Sequence, residues 1–397
     1  MKNAIKEYLE LTKAEKKELW ETAVFVFDTN IFLNLYRYTQ VTRESLLKAM
    51  ERLSERIWMP RQVAQELMKD RAKVIFDTLK IFDDLNDEKE KFIASCREKL
   101  RRESKDAKID DMSKEIDKHI KSLMRESNYI QKVEDDKILT QLLNLFDGRV
   151  GTGFSETELE AIKKEGGERY AKQVPPGYKD FKKGEENNAF GDLIIWKEIL
   201  GFASGNAKDV IYVTGDQKED WWNRTNGRTL GPRIELRKEF EEKTGKKFHM
   251  YNMNGFLSHF KEMQGTQIQQ SAIDEVKNYE KMIEEKARAL KRQEWLCHRI
   301  RDNEARRRDL ELILDELNAR QGAAEQRLNV LRKKMSGEDN MSGKSIAELE
   351  ELQKKLREIQ AEQIRINELT QHKANMQKEL EELITSQTEA VFLLDRE

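Results

Sequence analysis

Proline is scarce in this chain, with 4 in 397 residues, and so are cysteine, with 2, and histidine, with 5. Few prolines leave few forced helix ends, so long uninterrupted helices are permitted. Cys96 and Cys297 stand apart in charged, helix-patterned stretches. That spacing excludes a disulfide framework and a zinc knuckle, and it implies a reducing, cytoplasmic setting. No apolar run approaches the roughly 18 residues of a membrane span, and the opening MKNAIKEYLELTKAEKKELW has no apolar segment of signal-peptide length. Net charge is missing too: Lys+Arg 73 against Asp+Glu 75 leaves −2. Bulk charge therefore does not make this a basic nucleic-acid binder, and any contact with phosphates must be local or metal-mediated.

What the chain has in abundance is charge of both signs, 37% against 38% hydrophobic residues, a balance typical of long solvated helices. Its length leaves room for a domain of roughly 150 to 250 residues plus an extended element. Thr12-x-x-Glu15 is a capping box that starts a short helix. Val24-Phe-Val-Phe27 reads as a buried strand, followed by a helix from about Tyr36 to Met50. Arg56-Ile-Trp-Met59 reads as a second strand, closed by Pro60 at the head of the next helix. Val210-Ile-Tyr-Val213 and Lys247-Phe-His-Met-Tyr251 are further strand runs, with a helix from Asp192 to Leu200 before them and one from Gly255 to Met263 after. Strands that alternate with helices imply a parallel sheet with crossover helices.

Two helical additions interrupt this rhythm. Residues 83–141 form a charged tract with apolar positions at helical intervals, read as an inserted arm. Beyond residue 264, segments 270–334 and 345–383 flank the turn-like SGEDNMSG. In the second, Leu349, Leu352, Leu356, Ile359 and Ile366 follow an a/d seam, which weakens where Lys373 takes an apolar position. The expected organisation is residues 1–264 as an α/β domain with the 83–141 insertion, and 265–397 as an antiparallel helical hairpin that also serves self-association.

The chemistry rests on acids. Asp28 ends the first strand, Glu66 lies about two turns into the helix after Met59-Pro60, Asp192 opens a helix, and Asp216 follows Val210–Val213, with Asp220 four residues on. Taken alone, Asp28 is as well explained as a helix cap. In a parallel sheet, however, ligands gather at the carboxyl ends of the strands, where Asp28 and Asp216 must sit. Several carboxylates collected there repel one another unless a cation balances them. Oxygen-only ligands without His or Cys select Mg2+ or Mn2+.

The stretches FVFDTNIFLNLY, MPRQVAQEL, FGDLIIWKEIL and VIYVTGDQKEDWW together resemble a PIN domain, and closely a PIN-like nuclease group with GDLIIW ahead of a strand ending TxDxKxDWW. The resemblance covers roughly residues 20 to 264. It implies an α/β, PIN-like parallel sheet flanked by helices, and an endonuclease that hydrolyses phosphodiester bonds with Mg2+ or Mn2+. Asp28, Glu66, Asp192 and Asp216 are the implied metal-binding acids, with Asp220 as a further ligand and Asn30 in support. Lys183 corresponds to the group's lysine ahead of GDLIIW and is a candidate phosphate contact. Trp221 and Trp222 are candidates for stacking on unpaired bases, against the plainer reading that one of them is core. Arg224, Arg228 and Arg233 form a local basic patch. His249 and His259 have no ligand spacing and read as packing residues.

RNA is the preferred substrate on this reading, with single-stranded or branched DNA second. A toxin or phage-defence role follows by analogy alone, and a partner or inhibitor protein fits that role. The competing class is a catalytically silent coiled-coil interaction module. A dehalogenase-type phosphatase is excluded because Asn30 stands where a second Asp is needed. Ser342-Gly-Lys-Ser345 is not a phosphate-binding loop, since Glu338 occupies the required glycine position.

Overall fold

Four apolar residues with β-branched or aromatic side chains make a strand only if both faces find cover. In the computed structural model, which describes residues 8–100, 106–126, 135–181, 188–226, 228–264, 268–335 and 343–395, they do. Strand β1 (Val24–Phe27) is buried at every position, as is β3 (Val210–Val213). With β2 (Ile57–Trp58) and β6 (Phe248–Tyr251) they form a four-stranded parallel sheet in the order β2-β1-β3-β6. Phe25 pairs with Ile57 on one side and with Ile211 on the other. The helices connecting parallel strands cover both faces, giving the α/β class expected from the sequence.

Capping residues place several helices where the sequence indicates. Thr12 and Glu15 close a reciprocal box on α1 (Lys13–Thr22), and Ser155 and Glu158 do the same on α7 (Glu156–Ala171). The expected helix over 36–50 is found as α3 (Gln40–Arg52), and a separate short helix, α2 (Thr29–Asn34), precedes it across a break. The break is held from far away: Glu275 accepts from the Thr39 N–H and hydroxyl at 2.8 and 2.5 Å.

The insertion has no start of its own. Helix α4 (Arg61–Leu100) carries Glu66 near its head and runs 40 residues without interruption into the tract, where α5 (Asp106–Glu126) packs along it. Helix α6 (Lys137–Leu145) returns the chain to the sheet, and Met59 bridges to Val150. Helix α8 (Gly191–Asn206) precedes β3, and α9 (Ile234–Thr244) and α10 (Met253–Gln264) flank β6. Between β3 and α9 lies an antiparallel pair, β4 (Trp222–Thr225) and β5 (Arg228–Pro232), that the sequence reading passed over.

The core gathers large side chains from both ends of this region. Trp20, Phe25, Phe256 and Phe260 are each at most 1% exposed, with the Trp20 and Phe25 rings edge-on at 4.9 Å. Fully burying one such ring is worth about 2 to 3 kcal/mol. The chain divides into two compact units, Met1–Lys281 and Met282–Glu397. Helix α11 (Gln270–Met335) starts inside the first, where Ala272, Ile273 and Val276 join its core.

The second unit pairs the rest of α11 with α12 (Gly343–Asp395). Partners descend on one helix as they climb on the other: Arg299 with Glu379, Glu311 with Lys373, Gln321 with Gln363. The hairpin is therefore antiparallel. Leu310, Leu314 and Leu317 pack on Ile366 and Met376. Lys373, the flaw in the seam, is an ion pair to Glu311 at 3.1 Å. Among the described residues no helix is long and apolar enough to cross a membrane.

Candidate active site

The carboxyl ends of β1 and β3 bring together residues nearly two hundred positions apart. Asp28 follows β1 and is 6% exposed. Its Oδ1 accepts from the Thr29 N–H at 2.8 Å, capping α2, while Oδ2 accepts from Asn30 Nδ2 at 2.5 Å and the Thr214 hydroxyl at 2.6 Å. One carboxylate thus serves as a cap and as a site group at once.

Two threonines join the acids in pairs. Thr29 donates its hydroxyl to Glu66 Oε2 at 2.5 Å, so one residue ties Asp28 to Glu66. The Thr214 hydroxyl, fully buried, donates to Asp28 and accepts the Asp216 N–H at 2.9 Å, tying Asp28 to Asp216. Asn30 completes the frame, its Oδ1 accepting from the Gly215 N–H at 2.7 Å. Glu66 is further fixed by Gln62 Nε2 at 2.9 Å and Asn188 Nδ2 at 2.6 Å. The glycine of GDLIIW owes its place to this contact. A Cβ on Gly191 would collide with the Asn188 amide and lie 2.9 Å from Glu66 Oε1.

Asp192 stands in the first turn of α8, half-buried, and accepts weakly from Trp221 Nε1 at 3.3 Å. Asp216 accepts twice from Lys218, from its N–H at 2.7 Å and from its ammonium at 2.9 Å. The same ammonium donates to Asp180 Oδ2 at 2.8 Å. Asp220 is fully buried; Lys179 N–H donates to its Oδ2 at 3.1 Å, and its Oδ1 has no hydrogen-bond partner among the described residues.

The acids sense one another. Burial raises Asp28 from the ordinary 3.8 to about 6, with Glu66 and Asp216 adding to the rise and the Thr214 hydrogen bond opposing it. Burial raises Asp192 well above its ordinary value; Lys218 pulls it back, and Asp216, Asp28 and Asp180 push it up. Asp220 is raised by burial as well. For Lys218, burial favours the neutral form, yet Asp216, Asp192 and Asp180 outweigh it and hold the ammonium firmly charged.

A pocket of oxygen donors carrying more negative charge than it can comfortably ionise suits a hard divalent ion by its chemistry. Its side chains do not yet close around one point: among the described residues no three His, Cys, Asp or Glu side chains stand together as an ion's ligands. The Lys218 ammonium lies between Asp180 and Asp216 instead.

Other sequence expectations fare differently. Trp221 is fully buried against Trp196 and Tyr212, so it offers no face to a base, and the stacking role is withdrawn. Trp222, 6% exposed, donates to the Asp216 carbonyl at 2.5 Å and holds the loop. Arg224 donates to the Gln217 carbonyl at 3.1 Å and so braces the same loop. Arg233 pairs with Glu235, and Arg228 is exposed on β5. His249 and His259 pack against Tyr251. Lys183 lies outside the described residues.

Sequence reasoning missed Lys218, Asp180, Thr214 and Asn188. Lys218 had a signal, standing two residues after Asp216 inside TGDQKEDWW; Asn188 and Asp180 had none that distinguishes them from loop residues.

No curated protein and no solved structure matches the chain. A family model described as a PIN like domain matches residues 24–236. That span exceeds half of the chain and contains Asp28, Glu66, Asp192, Asp216 and Lys218. PIN-like domains are generally nucleases. With a parallel sheet whose strand ends gather these acids, the chain belongs to the PIN-like domain family.

Proposed function

We propose that the protein is a divalent-metal-dependent endonuclease that hydrolyses phosphodiester bonds in RNA, with Asp28, Glu66, Asp192 and Asp216 as the residues that hold the ion. The observation that supports this most is the shared-threonine frame: Thr29 and Thr214 lock three of the acids into one unit at the strand ends. Burial, with repulsion from Glu66 and Asp216 added, holds Asp28 at about 6, so its charged form is costly without a positive counterpart. Mg2+ or Mn2+ bound there would supply a water of lowered pKa and neutralise charge on the phosphate.

The chain's own residues carry the remaining work. Asn30 and Thr214 fix the orientation of Asp28 Oδ2. Asn188 and Gln62 fix Glu66. Asp28 sits on a strand end, Asp192 on a helix turn and Glu66 inside a helix, so rigid elements set the spacing of the acids. The α11–α12 hairpin is proposed as the self-association element, and the first unit as the part that contacts nucleic acid.

The test is incubation of purified protein with Mn2+ or Mg2+ and labelled transfer RNA, messenger-like RNA, and single- and double-stranded DNA. Cleavage of RNA that disappears in Asp28→Asn and Asp192→Asn supports the reading. Cleavage of DNA alone redirects it to a deoxyribonuclease. Undiminished cleavage by either variant overturns the site.

A further inference from the structure

Lys218 stands among the acids proposed to hold the ion. Its ammonium reaches Asp180 Oδ2 at 2.8 Å and Asp216 Oδ2 at 2.9 Å, and it acts electrostatically on Asp192 as well. Asp180 and Asp216 have side chains only 15% and 13% exposed, so the pairing takes place in a pocket largely withdrawn from water. A magnesium ion needs those oxygens at about 2.0 to 2.1 Å, and an ammonium bonded to the same oxygen atoms competes with it for them. The same pocket contains a fully buried carboxylate oxygen, Asp220 Oδ1, with no hydrogen-bond partner among the described residues. One ammonium leaves the local negative charge incompletely matched.

We propose that Lys218 is the resident counter-ion of this pocket, and that its pairing with Asp180 and Asp216 and the binding of a divalent cation are mutually exclusive. The inference rests on the proposed metal-dependent reading, and it deepens that reading by assigning Lys218 as a positioning residue that controls metal loading.

The surroundings let this one side chain move while the rest stays. The loop backbone is pinned independently of the ammonium: Trp222 Nε1 holds the Asp216 carbonyl, Arg224 holds the Gln217 carbonyl, and Gln217 Nε2 donates to the Glu280 carbonyl at 3.2 Å. The Lys218 N–H stays on Asp216 Oδ1. The lysine side chain itself is 35% exposed, so its flexible stem has a way out to solvent. Entry of the metal then exchanges an internal monovalent charge for a divalent one, and it returns the ammonium to the pocket's open side, where a polyanion would arrive.

The test measures metal binding, not cleavage, on the full chain. Mn2+ is titrated into wild type and Lys218→Met by calorimetry and by thermal unfolding. Removing the competing charge while keeping the stem is expected to tighten Mn2+ binding by at least about tenfold, given the strength of charge interactions at this range in a partly buried site. The double variant Lys218→Met/Asp216→Asn is expected to lose that gain. A second measurement needs no variant: in wild type, saturating Mn2+ is expected to raise modification of Lys218 by an amine-reactive reagent severalfold, read by mass spectrometry.

Unchanged or weaker binding in Lys218→Met overturns the proposal. If that variant fails to fold, unchanged Lys218 modification with bound Mn2+ overturns it equally. Wild type that cleaves RNA with Mn2+ while Lys218→Met binds no tighter refutes this inference and leaves the nuclease reading standing. Lys218→Met that binds Mn2+ while wild type neither binds nor cleaves refutes the nuclease reading and leaves this one standing.

Discussion

Charge is handled in opposite ways by the two units. In the first, carboxylates are buried and several are fixed by donors from distant parts of the chain, as Thr214 fixes Asp28 across 186 positions. In the second, ionic contacts lie on exposed surfaces and many are local, as Lys355 with Glu351 one helical turn away. The contrast shows where 37% charged residues can be tolerated cheaply and where each one is a commitment. An exposed pair costs little to form and contributes little. A buried carboxylate must be matched by donors or a cation, or it will hold a proton.

The sharpest way to break the comparison is at Asp28. Asp28→Asn should reduce cleavage by about a thousandfold or more while leaving the unfolding temperature of metal-free protein unchanged or higher. Unaltered turnover in a gel assay of labelled RNA would place Asp28 among ordinary caps. Next in size is a part-buried ion pair of the first unit. Arg169 grips Glu239 with both guanidinium nitrogens at 2.8 Å, and Trp196 Nε1 adds a third donor at 2.9 Å. Arg169→Met should leave Glu239 without its charge partner and destabilise the unit by about 3 kcal/mol in urea unfolding.

A pH series sharpens the same point. Folding raises Asp28 from 3.8 to about 6, so the native state binds its proton more tightly than the unfolded chain does. Its contribution to stability is therefore complete below the unfolded value and is lost as pH rises through about 6. Metal-free Asp28→Asn should match wild type near pH 3 and exceed it by up to about 3 kcal/mol above pH 7. Saturating Mn2+ should shrink that difference. A pH-independent gap in chemical denaturation would mean the carboxyl is ordinary. Smallest of all, Lys355→Ala in the hairpin should change stability by less than about 0.5 kcal/mol. A loss several times larger would show that the hairpin's surface charges act as a network.

Legibility in the sequence follows the same division between local and distant causes. Parallel strands buried on both faces appear as continuous apolar runs, so β1 and β3 can be located to the residue. Capping boxes at Thr12 and Ser155 are local chemistry and were equally plain. The stop between α2 and α3 depends on Glu275, more than two hundred residues on, and no local signal announces it. The β4–β5 pair had a cue in the dipeptide Asn226-Gly227, but its strands lack apolar alternation. At the site, residue types and order pointed to the acids. Whether a tryptophan next to them faces solvent or core is decided by packing, and Trp221 went inward.

One contact between helices has a bearing on how this architecture can vary. Glu198, on α8 one and a half turns beyond Asp192, accepts from the backbone N–H of Arg61 at 2.5 Å and of Gln62 at 3.2 Å, and so caps α4 just ahead of Glu66. The head of α4 is thereby registered against the helix that bears Asp192, whatever happens at its other end. Val74, Ile75 and Leu79 still pack on the core of the first unit, so only the stretch of α4 beyond them could lengthen, shorten or be exchanged, as a grafted module would be, without altering the spacing of the two carboxylates. A chain altered only there would keep the carboxylate frame intact.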